Sequence, residues 1–319
     1  MALLFLYLKL LQNDRMKDIS SKDRFINRVA RHLPLIIDWL KWKSGRNEKW
    51  VIRRNILGYY KSLDSYPEEL FSPLKYIRKN GLKALPYNFI EKYKPEKIEV
   101  YTDHDCGLRY VVHSGHRLYY PREMGKHLIR HTYAMIQCEQ DKESAHCYLS
   151  GSFEVSLHSV IVDVGAAEGN FSLSAIEKAE RIYIFEMEEQ WKEPLEKTFE
   201  PWKNKVKVIN KYVSDTDSEN TIRLDTFLAE EKIGDENIFI KLDVEGAEAL
   251  VLDGAEKTLA KENVKIAICT YHNQNDHEDL SAKMKNKNYR IETSQGYMLF
   301  HYNGLDAPYF RRGLIRCQR

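Results

Sequence analysis

The chain is poor in cysteine and has no C-x-x-C pair: its five cysteines are Cys106, Cys138, Cys147, Cys269 and Cys317. An odd, scattered set excludes a disulfide framework and a zinc ribbon, and fits a reducing compartment. A long apolar run is also missing. The apolar opening, residues 2–11, contains Lys9 and is far shorter than the roughly 20 residues of a bilayer span. Without a basic n-region or a small-residue cleavage site it does not read as a secretory signal. It reads as an amphipathic or buried helix, and the expected location is cytoplasmic. Internal repeats and low-complexity tracts are absent. With 43% hydrophobic and 12% aromatic residues the chain can offset its ordering entropy, so a disordered protein is excluded. At 319 residues one principal core with an appendage is expected.

The near-absence of net charge, +2, conceals an asymmetry. Residues 1–100 hold 21 Lys+Arg against 11 Asp+Glu, or +10, leaving 28 against 36, or −8, for residues 101–319. A basic appendage on an acidic body can steer an anionic ligand or touch a membrane surface, although solvated faces of Lys-rich helices give the same count.

Leu33, Ile36, Ile37 and Leu40 recur at helical spacing, Ile52, Ile56 and Tyr60 form a second stripe, and Ser72-Pro73 with Asn80-Gly81 brackets a short helix. Residues 1–95 therefore read as a basic helical region. Residues 96–150 read as a connector: alternation over 97–102, a hairpin turning at His113-Ser114-Gly115-His116, a helix over 123–138, and a polar run at 139–146. The two turn histidines are expected to face solvent. Residues 151–319 carry the rhythm of a mainly parallel sheet: strands at 160–164, 181–185, 206–213, 238–242 and 264–269, helices at 171–178, 247–260 and 280–287, and closing antiparallel strands at 290–293, 297–302 and 314–317.

The stretch Asp163-Val164-Gly165-Ala166-Ala167-Glu168-Gly169-Asn170 follows a strand and opens a helix. Gly165 allows a tight turn, and Gly169 a close approach at the helix start. The G-x-G-x-x-G fingerprint is not met, because Ala167 occupies its middle position and Glu168 would repel a pyrophosphate. The turn suits a cofactor with a cationic amino group, as in S-adenosyl-L-methionine. Glu186, at the tip of the next strand, is placed to accept ribose hydroxyls, unless it serves only as a solvated helix cap. Asp163, Gly165, Ala166, Glu168, Gly169, Asn170 and Glu186 thus form the expected cofactor shell. Asp215 is a candidate for the adenine amino group, with a turn-forming aspartate as its alternative.

The most specific text is Ile240-Lys241-Leu242-Asp243-Val244-Glu245-Gly246-Ala247-Glu248, running on to Leu252-Asp253-Gly254-Ala255. Together with residues 163–169 it resembles the FkbM family of S-adenosyl-L-methionine-dependent methyltransferases, over about residues 160–271. The resemblance implies an α/β fold, a Rossmann-like seven-stranded class I methyltransferase sheet, with methyl transfer to oxygen on sugars or other small or glycan-linked hydroxyls.

Asp243 and Glu245 leave the fourth strand at its carboxyl end, and His272 follows the fifth strand onto the same rim. Methyl transfer to a hydroxyl needs removal of a proton, which a carboxylate or imidazole can accept. Asp243, His272 and Glu245 are therefore the catalytic candidates, with Asp243 also in the cofactor shell and Glu245 alternatively capping the next helix. His272 alone could equally be a loop histidine bound to water. The three are also competent ligands for a divalent ion, but no metal is expected. The run 139–146 is a candidate lid, with Gln140 or Asp141 as ligands. The expected partner is a small-molecule or glycan acceptor bearing a hydroxyl, without nucleic acid or a membrane span. An NAD(P)-dependent oxidoreductase and a non-catalytic cofactor-binding protein are the alternatives.

Overall fold

The computed structural model describes residues 49–300 and 306–319. The chain divides into two compact units, residues 1–58 and 59–319, and the sheet belongs to the second. The helix expected from Leu33 to Leu40 and the apolar opening lie outside the described residues. Residues 49–62 are helical, with Ile56 and Tyr60 buried as their stripe requires.

In chain order the strands are β1 (Tyr101–Thr102), β2 (Arg109–His113), β3 (His116–Tyr120), β4 (Ser159–Val164), β5 (Ala179–Phe185), β6 (Val206–Ile209), β7 (Tyr212–Val213), β8 (Thr221–Ile222), β9 (Ile238–Leu242), β10 (Val264–Cys269), β11 (Arg290–Thr293) and β12 (Leu314–Gln318). After residue 62 the described α-helices are α1 (Phe71–Asn80), α2 (Lys126–Glu139), α3 (Asn170–Ser174), α4 (Glu189–Phe199), α5 (Leu224–Glu230), α6 (Glu248–Asp253), α7 (Glu256–Leu259) and α8 (Asp276–Asn286). Seven strands form one sheet in the order β11-β12-β10-β9-β4-β5-β6. β12 runs antiparallel to both β10 and β11, and the other pairs are parallel. Strand order reverses between β4 and β9, the switch point where such sheets open a crevice at the carboxyl ends.

Both faces of the sheet are buried, so its strands alternate between two cores. Val160, Val162 and Val164 join Ile240, Leu242 and Ile268 under α5 to α8, while Ile161 joins Phe239 and Ala267 on the opposite face with Phe171, Leu195 and the connector's Leu118, Tyr120 and Ile129. Asp163 and Lys241 fall on the second face by the same alternation. β4 and β9 pair them directly, and their ion pair of 3.2 Å is buried in that core.

Several expected elements are shorter. Alternation over 97–102 yields only β1, because residues 95–97 form a 3-10 turn. The helix expected over 171–178 ends at Ser174 and continues as turns. The strand expected over 206–213 breaks at Asn210, whose amide donates to the Glu186 and Met187 carbonyls, and β7 pairs with β8 instead. The helix expected over 247–260 splits at Gly254, where a Cβ would overlap the Ser214 carbonyl oxygen. Asp225 caps the second piece by accepting the Lys257 and Thr258 amides at 2.8 Å each. The strand expected at 297–302 reduces to one bridge, Met298 to Arg311, because Leu299 donates to Ala84, and residues 301–302 lie outside the described residues. The hairpin forms with His113 opposite His116. His113, however, does not face solvent: half-buried, it contacts the Tyr133 hydroxyl at 3.1 Å and Ser174 Oγ at 2.7 Å.

Candidate active site

A cavity of ≈ 560 Å³ opens at the carboxyl ends of β4, β5 and β9. Gly165 makes it. Its φ is +75°, in the left-handed region, and a Cβ there would overlap the Asp243 carbonyl oxygen, so the turn closes directly on β9. Ala167 adopts φ +46° and donates its N–H to Glu186 Oε2 at 2.7 Å, which ties the turn to the tip of β5. Glu186 Oε1 accepts the Glu188 amide at 2.8 Å. Carboxylates of Glu186, Glu188, Asp243 and Glu245 line the cavity against one lysine, Lys211. That surplus of negative charge favours a cation.

Of the expected cofactor shell, Gly165, Glu186 and Asp243 line the cavity. Asp163 lies beneath it, accepting the Ser172 hydroxyl at 2.7 Å and pairing with Lys241. Lys241 in turn donates to the Gly165 carbonyl and so braces the turn from below. Ala166 is buried, with its N–H on the Phe185 carbonyl. Gly169 has φ +77°, and a Cβ would stand 2.8 Å from Leu195, so its close approach is to the packed α4. Asn170 opens α3, with its carbonyl 3.1 Å from His113 Nε2. Glu168 is buried away from the lining, and burial, then Glu139, push its carboxyl up to about 8. Asp215 is exposed beside the cavity and accepts the Ser214 hydroxyl.

Asp243 is the hub. Oδ2 accepts the Tyr148 hydroxyl at 2.8 Å and faces His146 Nε2 at 3.4 Å, while Oδ1 accepts the Tyr271 hydroxyl at 3.3 Å and faces His272 Nε2 at 3.5 Å. Burial pushes its carboxyl up, but His146, Lys241 and His272 outweigh burial and hold it well below the usual carboxylate range. Asp243 is thus a permanent anion near neutral pH. His146 and His272 are lowered by burial but raised on balance, His146 by Asp243 and Glu139, His272 by Glu248 and Asp243.

Glu248 fixes His272. Its Oε1 lies 2.9 Å from His272 Nδ1, and because a carboxylate only accepts, Nδ1 carries the proton. His272 Nε2, buried and without a hydrogen-bond partner among the described residues, points between Asp243 and Glu245, whose Oε2 is 3.6 Å away. Glu245 does not cap α6. Its side chain is 83% exposed with φ +55°, and the Val244 amide goes to Glu248 Oε1 instead. Asp243, Glu248 and His272 bring one ligand atom each within 4.8 Å of one another, as do His146, Asp243 and Cys269. With Nδ1 taken by Glu248, only His272 Nε2 is left to meet an ion.

The run 139–146 is strapped down rather than hinged. Asp141 accepts the Tyr93 hydroxyl at 2.6 Å, Lys92 at 3.2 Å and the Glu143 amide at 2.8 Å, and Gln140 holds the Tyr148 amide at 3.3 Å. Both therefore bind their own chain and deliver His146 and Tyr148 to Asp243. Sequence reasoning missed those two residues, and also Lys241, Glu248 and Tyr271. His146 stood within the polar run, and the other three within or beside the quoted strand ends.

The strand order, with one antiparallel strand between β10 and β11, and the glycine turn facing an acid-tipped β5 define a Rossmann-like class I methyltransferase sheet. Residues 188–291, about a third of the chain, match the family described as the methyltransferase FkbM domain. The resemblance carried by β9 and its following turn is thereby borne out, and S-adenosyl-L-methionine is the cofactor it supports. No curated protein sequence matches the chain. Among solved structures, the methyltransferase FkbM from Methylobacillus flagellatus KT is similar at 19% identity and TM-score 0.43, over 60% of this chain and 51% of that one. The tRNA m1G37 methyltransferase of M. jannaschii is similar at 15% and 0.39, over 66% and 55%. A Streptococcus mutans protein described as a methyltransferase in complex with SAH is similar at 15% and 0.32, over 58% and 97%. This chain spans about half the length of the first of these.

Proposed function

We propose that the chain is an S-adenosyl-L-methionine-dependent O-methyltransferase (EC 2.1.1.-) acting on a hydroxyl of a sugar or glycan precursor. The observation that carries this is His272 Nε2, which has no hydrogen-bond partner among the described residues and faces, at 3.5 Å, the Asp243 carboxylate that lines the acidic cavity. The bound cofactor supplies an electrophilic methyl on a sulfonium. Gly165, Ala166, Gly169 and Asn170 shape the turn beside it, Glu186 accepts the ribose hydroxyls, Asp215, next in sequence to the lining residue Ser214, is the candidate for the adenine amino group, and Glu168 and Asp163 support the turn from within. Neutral His272 accepts the proton of the acceptor hydroxyl at Nε2, while Asp243 stays ionised and stabilises the imidazolium that forms. Glu245, exposed at the mouth, meets the acceptor.

The domain division that goes with this reading is residues 1–95, 96–150 and 151–319, the middle one a connector sharing its core with the sheet. The acidic lining also argues against a dinucleotide pyrophosphate, and so against the oxidoreductase alternative. Calorimetric titration of S-adenosylhomocysteine and NADH tests the cofactor: saturable binding of the first and none of the second is expected, and the reverse would sink the proposal. The acceptor is tested with methyl-labelled cofactor and separate glycan, lipid, metabolite and RNA fractions. Label confined to RNA would contradict the acceptor class. No helix among the described residues is long and apolar enough to cross a membrane.

A further inference from the structure

A second cavity, of ≈ 500 Å³, opens on the same rim, past the carboxyl end of β10 and before the start of β12. Its lining combines the rings of Tyr60, Tyr66 and Tyr297 with Gln274, Arg311 and Arg312. Arg311 is only 8% exposed. Its Nη1 donates to the carbonyls of Tyr271 at 2.8 Å and His272 at 2.6 Å, but its Nε has no partner among the described residues. Among the described residues no carboxylate pairs with it; Asp276 and Asp306 act on it only at longer range. Its neighbour Arg312 is instead paired with Glu69 at 2.7 Å and stacked on Tyr297 at 4.0 Å. A buried guanidinium without a counter-ion is costly, and the cost falls when an oxyanion meets its unpaired N–H.

Gln274 adds the second half of the site. Its amide nitrogen donates to the Pro308 carbonyl at 2.9 Å, which fixes the side chain, and its buried Oε1 has no donor among the described residues. An unfilled acceptor of this kind suits a hydroxyl. Tyrosine faces offer stacking area for a sugar ring. The one acid in the lining, Glu278, has a side chain 75% exposed and lies 3.7 Å from His277.

We infer that this cavity binds a sugar carrying an oxyanion, a phosphate monoester or carboxylate, with Arg311 on the anion, Gln274 Oε1 on a hydroxyl and the tyrosine rings on the sugar face. Calling that ligand the methyl acceptor rests on the proposed function; the binding site itself does not. Arg311 also donates to the carbonyl of His272, so the anion site and the proposed base are tied to one loop after β10.

The test is calorimetry on the full chain with glucose 6-phosphate, glucuronate and neutral methyl glucoside, without cofactor. The two charged sugars are expected to bind saturably, phosphate and carboxylate being separated by their relative affinity, and methyl glucoside about 10-fold more weakly or worse. Arg311→Gln should weaken the charged sugars by about 10-fold or more, with S-adenosylhomocysteine binding retained. Should Arg311→Gln fail to fold, Gln274→Glu decides, since it places a repelling charge in the cavity without touching the carbonyls that Arg311 holds. Equal binding of charged and neutral sugars, no saturable binding of any, or wild-type affinity in the folded variants overturns the inference. Binding of charged sugars without binding of S-adenosylhomocysteine supports this site and contradicts the methyltransferase reading.

Discussion

Glu248 Oε1 stands 2.9 Å from His272 Nδ1 and also accepts the Val244 amide at 3.1 Å, so one buried carboxylate fixes both the imidazole after β10 and the turn after β9. Glu248 is 1% exposed and its second oxygen has no partner among the described residues, so its effect goes into those two contacts. The pairing sets the tautomer and leaves Nε2 aimed at Asp243. A carboxylate behind an imidazole raises its basicity and orients the ring, whether the ring meets a proton or a metal.

Glu248→Gln should therefore lower kcat by about 10- to 100-fold while leaving cofactor affinity near wild type. It should also shift the acidic limb of the kcat/KM profile to lower pH, because the anion that raises His272 is gone. The wild-type limb is expected above about 6.5. An unchanged limb would remove His272 from the base role.

Stability should fall as pH rises through neutrality. His146 and His272 have folded pKa values raised by their anionic neighbours. The stability they contribute is complete below the unfolded value of about 6.5 and is lost as pH climbs through the folded ones. Thermal melts from pH 6 to 9 should show a falling midpoint. His272→Gln should flatten that fall, and a midpoint rising with pH would contradict the assignment.

Glu168 contributes with the same sign over a wider range. The folded carboxyl holds its proton to about 8, because burial and Glu139 disfavour the charge, whereas the unfolded chain releases it at the ordinary carboxylate value. Stability is therefore lost between those two values. Glu168→Gln, which keeps the shape without the titration, should raise stability at pH 8 by more than about 1 kcal/mol and little at pH 4. Denaturant unfolding at the two pH values measures it, and equal effects at both would disprove the linkage.

How much of this was legible beforehand follows from what each signal encodes. The core strands were readable because both faces of the sheet are buried, so runs such as Val160 to Val164 are apolar throughout. Gly165 and Glu186 were readable because their roles depend on a local turn and a strand end. The breaks at Asn210 and Gly254 were not, since each answers a contact distant in sequence, with the Glu186 and Met187 carbonyls and with Ser214. The same holds for the site. Asp243 and His272 announced themselves at strand ends, but His146 and Tyr148 reach Asp243 across about a hundred residues of chain, through a strap tied down by Asp141. Glu245 and Glu248 are chemically alike, three positions apart, and only the turn decides which meets Nδ1.

Gly165→Ala tests the turn. The new methyl would occupy the place of the Asp243 carbonyl oxygen at a φ of +75°. A destabilisation of about 3 kcal/mol or more is expected, with cofactor affinity lost along with it. Denaturant unfolding with calorimetry checks both, and a wild-type affinity would show that β4 and β9 can separate without harm to the cavity.

If Asp243 serves methyl transfer rather than holding the cofactor in place, its amide variant separates the two functions. The direct measurement compares wild type with Asp243→Asn for transfer of labelled methyl from S-adenosyl-L-methionine to an acceptor hydroxyl, alongside S-adenosylhomocysteine affinity by calorimetry. Transfer lower by about 100-fold or more, with affinity within about 3-fold of wild type, is expected of that role. Affinity lost in step with transfer, or transfer undiminished, would contradict it.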